Sequence, residues 1–270
     1  MLPLFFVIGA LFIVIGSVLL YYSNSIQEFS YDYTNCIQNG TTNTLCSSIV
    51  NASNISSTCI CSINFNLSSA FPAPVYLYYG LGNFYQNHRR YVKSRDDNQL
   101  LGSSVSNATI SSDCSPYATD STTGYIYAPC GAIANSKFND EFTITYNQTA
   151  VPLIRTGIAW TSDKNVKFGN PETFNNTVKP QRWRYSVDSL DSDTNNNGYK
   201  NEDLIVWMRT AALPNFRKFY RILNTNSTTF AGGLPQGTYT LNIVYSEFFL
   251  CIENIFFNFS SINRFSSNFV

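Results

Sequence analysis

The chain opens with 27 residues that carry no charged side chain, and Leu2 to Tyr22 is an almost unbroken apolar run. At about 1.5 Å of rise per residue such a run makes a helix roughly 30 Å long, the thickness of a bilayer core. Hydrocarbon offers no partner to backbone amides, so the segment is expected to be helical in spite of Gly9 and Gly16. Pro3 is tolerated because amides of a first helical turn lack an intrahelical acceptor anyway. Tyr21 and Tyr22 fall where amphipathic rings favour the headgroup region. A secretory signal peptide would carry a charged leading segment, a shorter apolar stretch of about 7–15 residues and a small-residue cleavage site. Residues 1–22 fit that pattern poorly and are expected to be an uncleaved transmembrane helix.

Six of the seven cysteines fall in two even clusters, Cys36, Cys46, Cys59 and Cys61, then Cys114 and Cys130. Behind an apolar N-terminus this pattern predicts disulfides in an oxidising compartment. Cys59–Cys61 is sterically poor, which leaves a nested and a crossed pairing for the first four. A zinc site is the weaker reading, because Cys59-Ile-Cys61 lacks knuckle spacing and the single histidine, His88, is remote.

Nine Asn-x-Ser/Thr sequons occur, at Asn39, Asn51, Asn54, Asn66, Asn107, Asn147, Asn175, Asn226 and Asn258. A chain this rich in Asn, Ser and Thr holds about six by chance, so the sequons agree with a lumenal or extracellular body without establishing it. Glycans are expected on some of Asn107, Asn147 and Asn175. Orientation by the positive-inside rule is mute, since no Lys or Arg precedes Arg89.

The remainder reads as one large domain, with 16% aromatic residues to fill a core and a net charge of zero. That balance gives no global attraction to nucleic acid. Pro74–Tyr79, Glu141–Tyr146 and Gly237–Tyr245 are short, aromatic and β-branched, and predict strands. Asn201–Leu213 is expected to be a strand around the continuous run Leu204–Met208. Phe216, Phe219, Tyr220 and Leu223 have helical spacing, and Asn83–Val92 is a second helix candidate. The sum is an antiparallel, mainly β (α+β) body.

Catalytic chemistry is sparse. His88 sits beside Arg89 and Arg90, and neither a Gly-x-Ser-x-Gly elbow nor a Gly-Lys-Ser/Thr phosphate loop occurs. Asp193, Asn195, Asn197 and Gly198 match a calcium loop at four positions, but Leu204 stands where a bidentate Glu belongs, so an Asn/Asp turn is expected. The basic run His88–Arg95, followed by Asp96 and Asp97, predicts an ion-paired surface, with partner recognition as the sharper alternative. Catalytic, cofactor and metal residues are therefore expected to be none.

Tyr78-Tyr-Gly-Leu-Gly-Asn-Phe-Tyr-Gln-Asn-His-Arg-Arg-Tyr-Val-Lys-Ser-Arg-Asp-Asp97 resembles the signature of the cell cycle control protein 50 (transmembrane protein 30) family. Ala128–Asn135, Gly157-Ile-Ala-Trp160, Asn197–Pro214 and Leu2–Gly9 are similar to it as well. The resemblance implies a non-catalytic β-subunit of type-IV P-type ATPases, the lipid flippases. It implies a glycoprotein with an antiparallel β-sandwich ectodomain that supports folding of the ATPase, its exit from the endoplasmic reticulum and its lipid transport. Endoplasmic reticulum, Golgi or plasma membrane would be the location. The family's disulfide pattern is nested: Cys36–Cys61 enclosing Cys46–Cys59, with Cys114–Cys130 separate.

Against that pattern the chain is expected to divide into a helix at 1–22, a disulfide-bonded ectodomain at 23–245 and a divergent tail at 246–270. Glu247, Glu253, Asn254 and Asn258 interrupt the tail, so it is not expected to span a membrane. Phe248, Phe249, Phe256 and Phe257 are expected to stand exposed there, and Cys251 to be an odd thiol. A single-pass protein follows, with a truncated family member that no longer assembles as the alternative to a working subunit.

Overall fold

The computed structural model describes residues 2–52, 58–246 and 254–262. Helix α1 (Leu2–Asn24) is exposed along its described length, and only Ser25 separates it from β1 (Ile26–Asp32). The first cysteine cluster holds α2 (Cys46–Ala52) and β2 (Cys59–Leu67), followed by β3 (Phe71–Pro72) and β4 (Val75–Gly82). A loop-rich stretch then carries α3 (Arg89–Lys93), α4 (Asp97–Leu100), β5 (Ile126–Tyr127) and α5 (Ala132–Asn135). β6 (Glu141–Tyr146), β7 (Thr149–Ala150), β8 (Leu153–Ile154) and β9 (Thr177–Val178) precede α6 (Glu202–Met208). Last among the described residues come β10 (Phe216–Leu223), β11 (Gly233–Leu234), β12 (Gly237–Tyr245) and β13 (Asn254–Ile262).

Two antiparallel sheets, β1-β13-β4-β10-β8 and β2-β12-β6-β7, carry the fold. Alternation fixes their inner faces: Tyr239, Leu241, Ile243 and Tyr245 of β12 are buried, and every second residue between them is half-buried. Rings from the two sheets meet in the middle. Phe29 stacks on Phe65 at 4.8 Å, Phe65 lies 5.7 Å from Phe259, and Phe142 touches Phe257 at 4.9 Å and Tyr220 at 5.0 Å. The result is a mainly β, antiparallel sandwich behind one long apolar helix.

Two local expectations are overturned. Residues 202–208 form α6, not a strand. Asn201 accepts the Leu204 amide at its N-cap, Glu202 and Asp203 occupy the first turn, and Lys218 Nζ donates to the Val206, Trp207 and Arg209 carbonyls at the other end. Leu204, Ile205, Trp207 and Met208 are all buried, and a run buried on nearly all sides shows no period by which to tell helix from strand. Residues 216–223 form β10, not a helix. Its register against β4 shifts between Phe219 and Arg221, so the alternation changes phase: Lys218 and Tyr220 are buried before the shift and Arg221 and Leu223 after it, while Phe216 and Phe219, which suggested the helical spacing, are half-buried. The helix candidate over 83–92 shrinks to α3, and Asn83 itself lies at φ 57°.

The C-terminal segment also differs from its expectation. β13 lies between β1 and β4, with Ile255, Phe257 and Phe259 buried and Phe256 half-buried. Exposure of Phe256 and Phe257 is thus corrected: a period-2 segment found a sheet to complete. Phe248, Phe249 and Cys251 lie outside the described residues.

Candidate interaction surface

α1 meets every length and composition requirement for crossing a membrane over Pro3–Asn24, and none of it is buried against the body. The Ser25 amide donates to the Tyr21 and Tyr22 carbonyls, both at 3.2 Å, so the helix runs directly into β1. Ile262 pairs with Ile26, which brings β13 back to the foot of α1. The same end of the sandwich holds the connections 67–75, 146–149 and 223–237, because Val75 pairs with Ser261, Ile222 with Tyr76, Gly237 with Leu67 and Tyr239 with Tyr146. None of those connections contains a charged residue. The helix-proximal rim is therefore neutral, and it carries the sequons at Asn147 and Asn226.

Disulfides fasten two loops to this frame. Cys36–Cys61 encloses Cys46–Cys59, with Cα separations of 6.1 and 5.3 Å, and ties the 36–46 loop to β2. The sulfurs of Cys36, Cys46 and Cys61 lie within 4.8 Å of one another because the two bridges are neighbours, and bridged sulfurs offer no thiolate to a metal. Cys114–Cys130 closes a small separate core with Tyr127, at a Cα separation of 5.7 Å.

The motif-bearing segments interlock through buried hydrogen bonds. Gln99 Nε2 donates to the Tyr127 carbonyl at 2.8 Å while its Oε1 accepts the Cys130 amide at 2.8 Å. Gly131, at φ 97°, presses against the Ser94 backbone where a Cβ would clash, and the Ala132 amide donates to Ser94 Oγ. Trp207 Nε1 donates to the Ile133 carbonyl at 2.7 Å and Trp183 Nε1 to that of Ala134 at 2.6 Å. Buried Glu202 accepts the Ile158 and Ala159 amides at 2.8 and 2.9 Å and pairs with Lys164 at 2.7 Å. The segments 78–97, 128–135, 157–160 and 197–214 thus hold one another.

Sequence reasoning missed Gln99 and Glu202 in these roles. The one available signal was Asn201 followed by two acids, which is a helix N-terminus pattern.

The basic segment divides. Arg95 pairs with Asp97 at 2.9 Å, but Asp96 is buried, caps α4 through the Gln99 amide and accepts the Ser111 amide at 2.7 Å. Among the described residues Arg89, Arg90 and Lys93 form no ion pair, so the expected ion-paired surface is realised only at its end. In the Asp193 loop the carboxylate accepts the Asn195 amide, and Asn197 Oδ1 accepts the Leu190 and Gly198 amides. These Asp193 and Asn197 oxygens serve turns, with Gly198 at φ 69°. Asn107, Asn147 and Asn175 are exposed, while Asn258 is buried within β13.

Two buried titratable groups stand out. Burial pushes the Asp140 carboxyl up to about 6, against the Ser246 amide and the Tyr33 hydroxyl, which both donate to it. Burial draws the Lys218 ammonium down to about 7, the nearby Arg209 adding to the effect.

What the fold defines is a disulfide-fastened antiparallel β-sandwich carried on one long apolar helix. The chain belongs to the LEM3 (ligand-effect modulator 3) family / CDC50 family, whose sequence model matches residues 19–250. It is 47% identical over 257 residues to bovine (Bos taurus) cell cycle control protein 50A, covering 91% of this chain and 69% of the relative. It is 45% identical over 260 residues to human (Homo sapiens) cell cycle control protein 50B, covering 91% and 73%. ALA-interacting subunit 3 of Arabidopsis thaliana is 37% identical over 219 residues, covering 80% of this chain and 59% of that protein.

Proposed function

We propose that the chain is an accessory β-subunit of a phospholipid-translocating type-IV P-type ATPase, supporting that enzyme's folding, its export from the endoplasmic reticulum and its lipid transport. The observation that carries this reading is the junction at Ser25: a family-matched sandwich joined by one residue to an apolar helix that its own body leaves uncovered. A helix of that kind finds its partners in lipid and in other membrane helices. The sandwich then stands in the lumen or outside the cell, where its disulfides persist and exposed Asn107, Asn147 and Asn175 accept glycans. Endoplasmic reticulum, Golgi or plasma membrane is its location, and it has no chemistry of its own.

Purification of the tagged chain from membranes tests the reading. Co-purification of a flippase catalytic subunit, and its increased exit from the endoplasmic reticulum, are the expected results. Recovery of a folded, membrane-bound chain alone would favour the competing reading, a family member that no longer assembles. That reading draws on α1 being the one candidate span among the described residues.

A further inference from the structure

The two outer faces of the sandwich are built from different residues. On the sheet β2-β12-β6-β7 the outward positions of the paired strands β2 and β12 are Ser62, Asn64 and Asn66 against Thr238, Thr240 and Asn242, a neutral polar surface. On the sheet β1-β13-β4-β10-β8 the outward positions are aromatic. The ladder opposes Tyr78 to Phe219 and Gly80 to Phe256, while Leu77, Tyr79 and Phe257 point the other way and are buried. The Phe219 ring stacks on Tyr78 at 5.2 Å and meets Tyr76 edge-on at 5.5 Å. Phe256 lies over Gly80, its Cβ 3.4 Å from where a side chain there would begin.

Tyr76, Tyr78, Phe219 and Phe256 are each half-buried, so part of every ring still faces water. Arg217, exposed on the same face, pairs with Glu28 of β1, which leaves the surface without a free charge there. An antiparallel sheet with one solvated face alternates apolar-in and polar-out, and apolar residues on both faces mark a sheet covered on both sides.

Three observations say what covers it. The first is continuity: β1 belongs to this sheet and follows α1 after Ser25 alone, so a protein whose helices pack on α1 meets this sheet before the other. The second is the placing of the sequons. Asn66 stands on the polar face, and exposed Asn39 donates to Ser62 Oγ beside it at 2.8 Å. Among the described residues, the sequon asparagine on the aromatic face is Asn258, which is buried and closed to a glycan. The third is size. Strands β13, β4 and β10, about 4.8 Å apart and roughly eight residues long at 3.3 Å each, present on the order of 400 Å². That is about half of one partner's share in a stable interface, so the occupant must also hold the neighbouring α1, which makes it a membrane protein.

We propose that this aromatic face docks low-charge exoplasmic loops of the membrane protein whose helices pack on α1. The proposal rests on the reading of the chain as an accessory subunit, so the loops are those of the ATPase's catalytic subunit.

Glycan wedges in the full chain, expressed in cells and purified from membranes, test it. Glu28→Asn completes an Asn-x-Ser sequon with Ser30 on the aromatic face, and Thr238→Asn completes an Asn-x-Thr sequon with Thr240 on the polar face. Each added glycan is read as a gel shift that a glycosidase removes. Glycosylated Glu28→Asn should retain the catalytic subunit about tenfold less than the native chain, because a bulky glycan holds the surfaces apart. Glycosylated Thr238→Asn should retain it as the native chain does. A photocrosslinking benzoylphenylalanine in place of Tyr78 should join the catalytic subunit, and one in place of exposed Asn64 should not. This crosslink decides the matter where Glu28→Asn misfolds or escapes glycosylation. Equal retention by both glycosylated, folded variants would overturn the docking face and leave the subunit reading in place, as would a Tyr78 crosslink to a second copy, to lipid or to nothing. A native chain that retains no catalytic subunit would overturn both.

Discussion

The sandwich and the loop-rich layer at residues 83–140 and 155–213 are stabilised by different chemistry. The sheet β2-β12-β6-β7 contains one charged residue, Glu141, and its inner face is aromatic and aliphatic. Its outer face is a ladder of neutral side chains, with Thr240 on Asn64 at 2.7 Å and Ser62 on Asn242 at 2.6 Å. The layer instead buries Asp96, Asp163 and Glu202: the Ser111 amide donates to Asp96, Lys167 and Arg209 to Asp163, and the Ile158 amide to Glu202. Burial of apolar area is non-directional and tolerates substitutions of similar volume. A buried polar cross-tie is directional, and loss of one partner leaves the other unsatisfied. The comparison teaches why recognisable motifs crowd into the layer: few residue types can close a given cross-tie, whereas many can fill a core.

The largest expected effect is in the sandwich. Phe257→Ala should cost about 4 kcal/mol, because a fully buried ring leaves a cavity between the sheets, and Phe257→Leu should restore much of it. Chemical denaturation of both variants measures this. A loss no greater than for an exposed phenylalanine would show that β13 is not a core strand.

In the layer, Glu202→Ala should cost about 3 kcal/mol, since two buried amides and Lys164 lose their acceptor. Here the isosteric Glu202→Gln keeps the one oxygen that accepts both amides but turns an NH2 toward Lys164, so it should rescue only part of the loss. Full rescue by Gln would erase the distinction between the two regions.

Opening Cys114–Cys130 by Cys130→Ser should cost roughly 3 kcal/mol in the chain-entropy account, and the effect should remain local. Hydrogen exchange should rise around Tyr127 while β12 stays protected. Free thiols at both positions in the folded protein would remove the basis for this expectation.

A smaller effect is a pH dependence. Asp140 titrates near 6 when folded and near its ordinary 3.8 when unfolded, so the folded chain binds the extra proton between those values. Stability from this group is full below about 4 and is lost as pH rises through 6, by at most about 3 kcal/mol. Asp140→Asn should flatten that part of the profile, which melting curves across the range will show. Smallest of all, Thr240→Ala on the outer ladder should change stability by no more than about 0.5 kcal/mol.

By itself the sequence determined the elements whose pattern is local. A charge-free apolar run of bilayer length can only be a helix, and alternation in β6 and β12 admits only a half-buried strand. The signature residues were visible too, but not their work as cross-ties, since a hydrogen bond such as Trp207 to Ile133 joins residues 74 positions apart. Tertiary structure alone decided the rest. Leu204–Met208 is enclosed on nearly every side, so its helix is chosen by caps at Asn201 and Lys218. β10 takes its phase from an irregularity against β4. Asn254–Ile262 becomes a core strand because β1 and β4 leave a gap of one strand between them, and only the assembled sheet contains that gap.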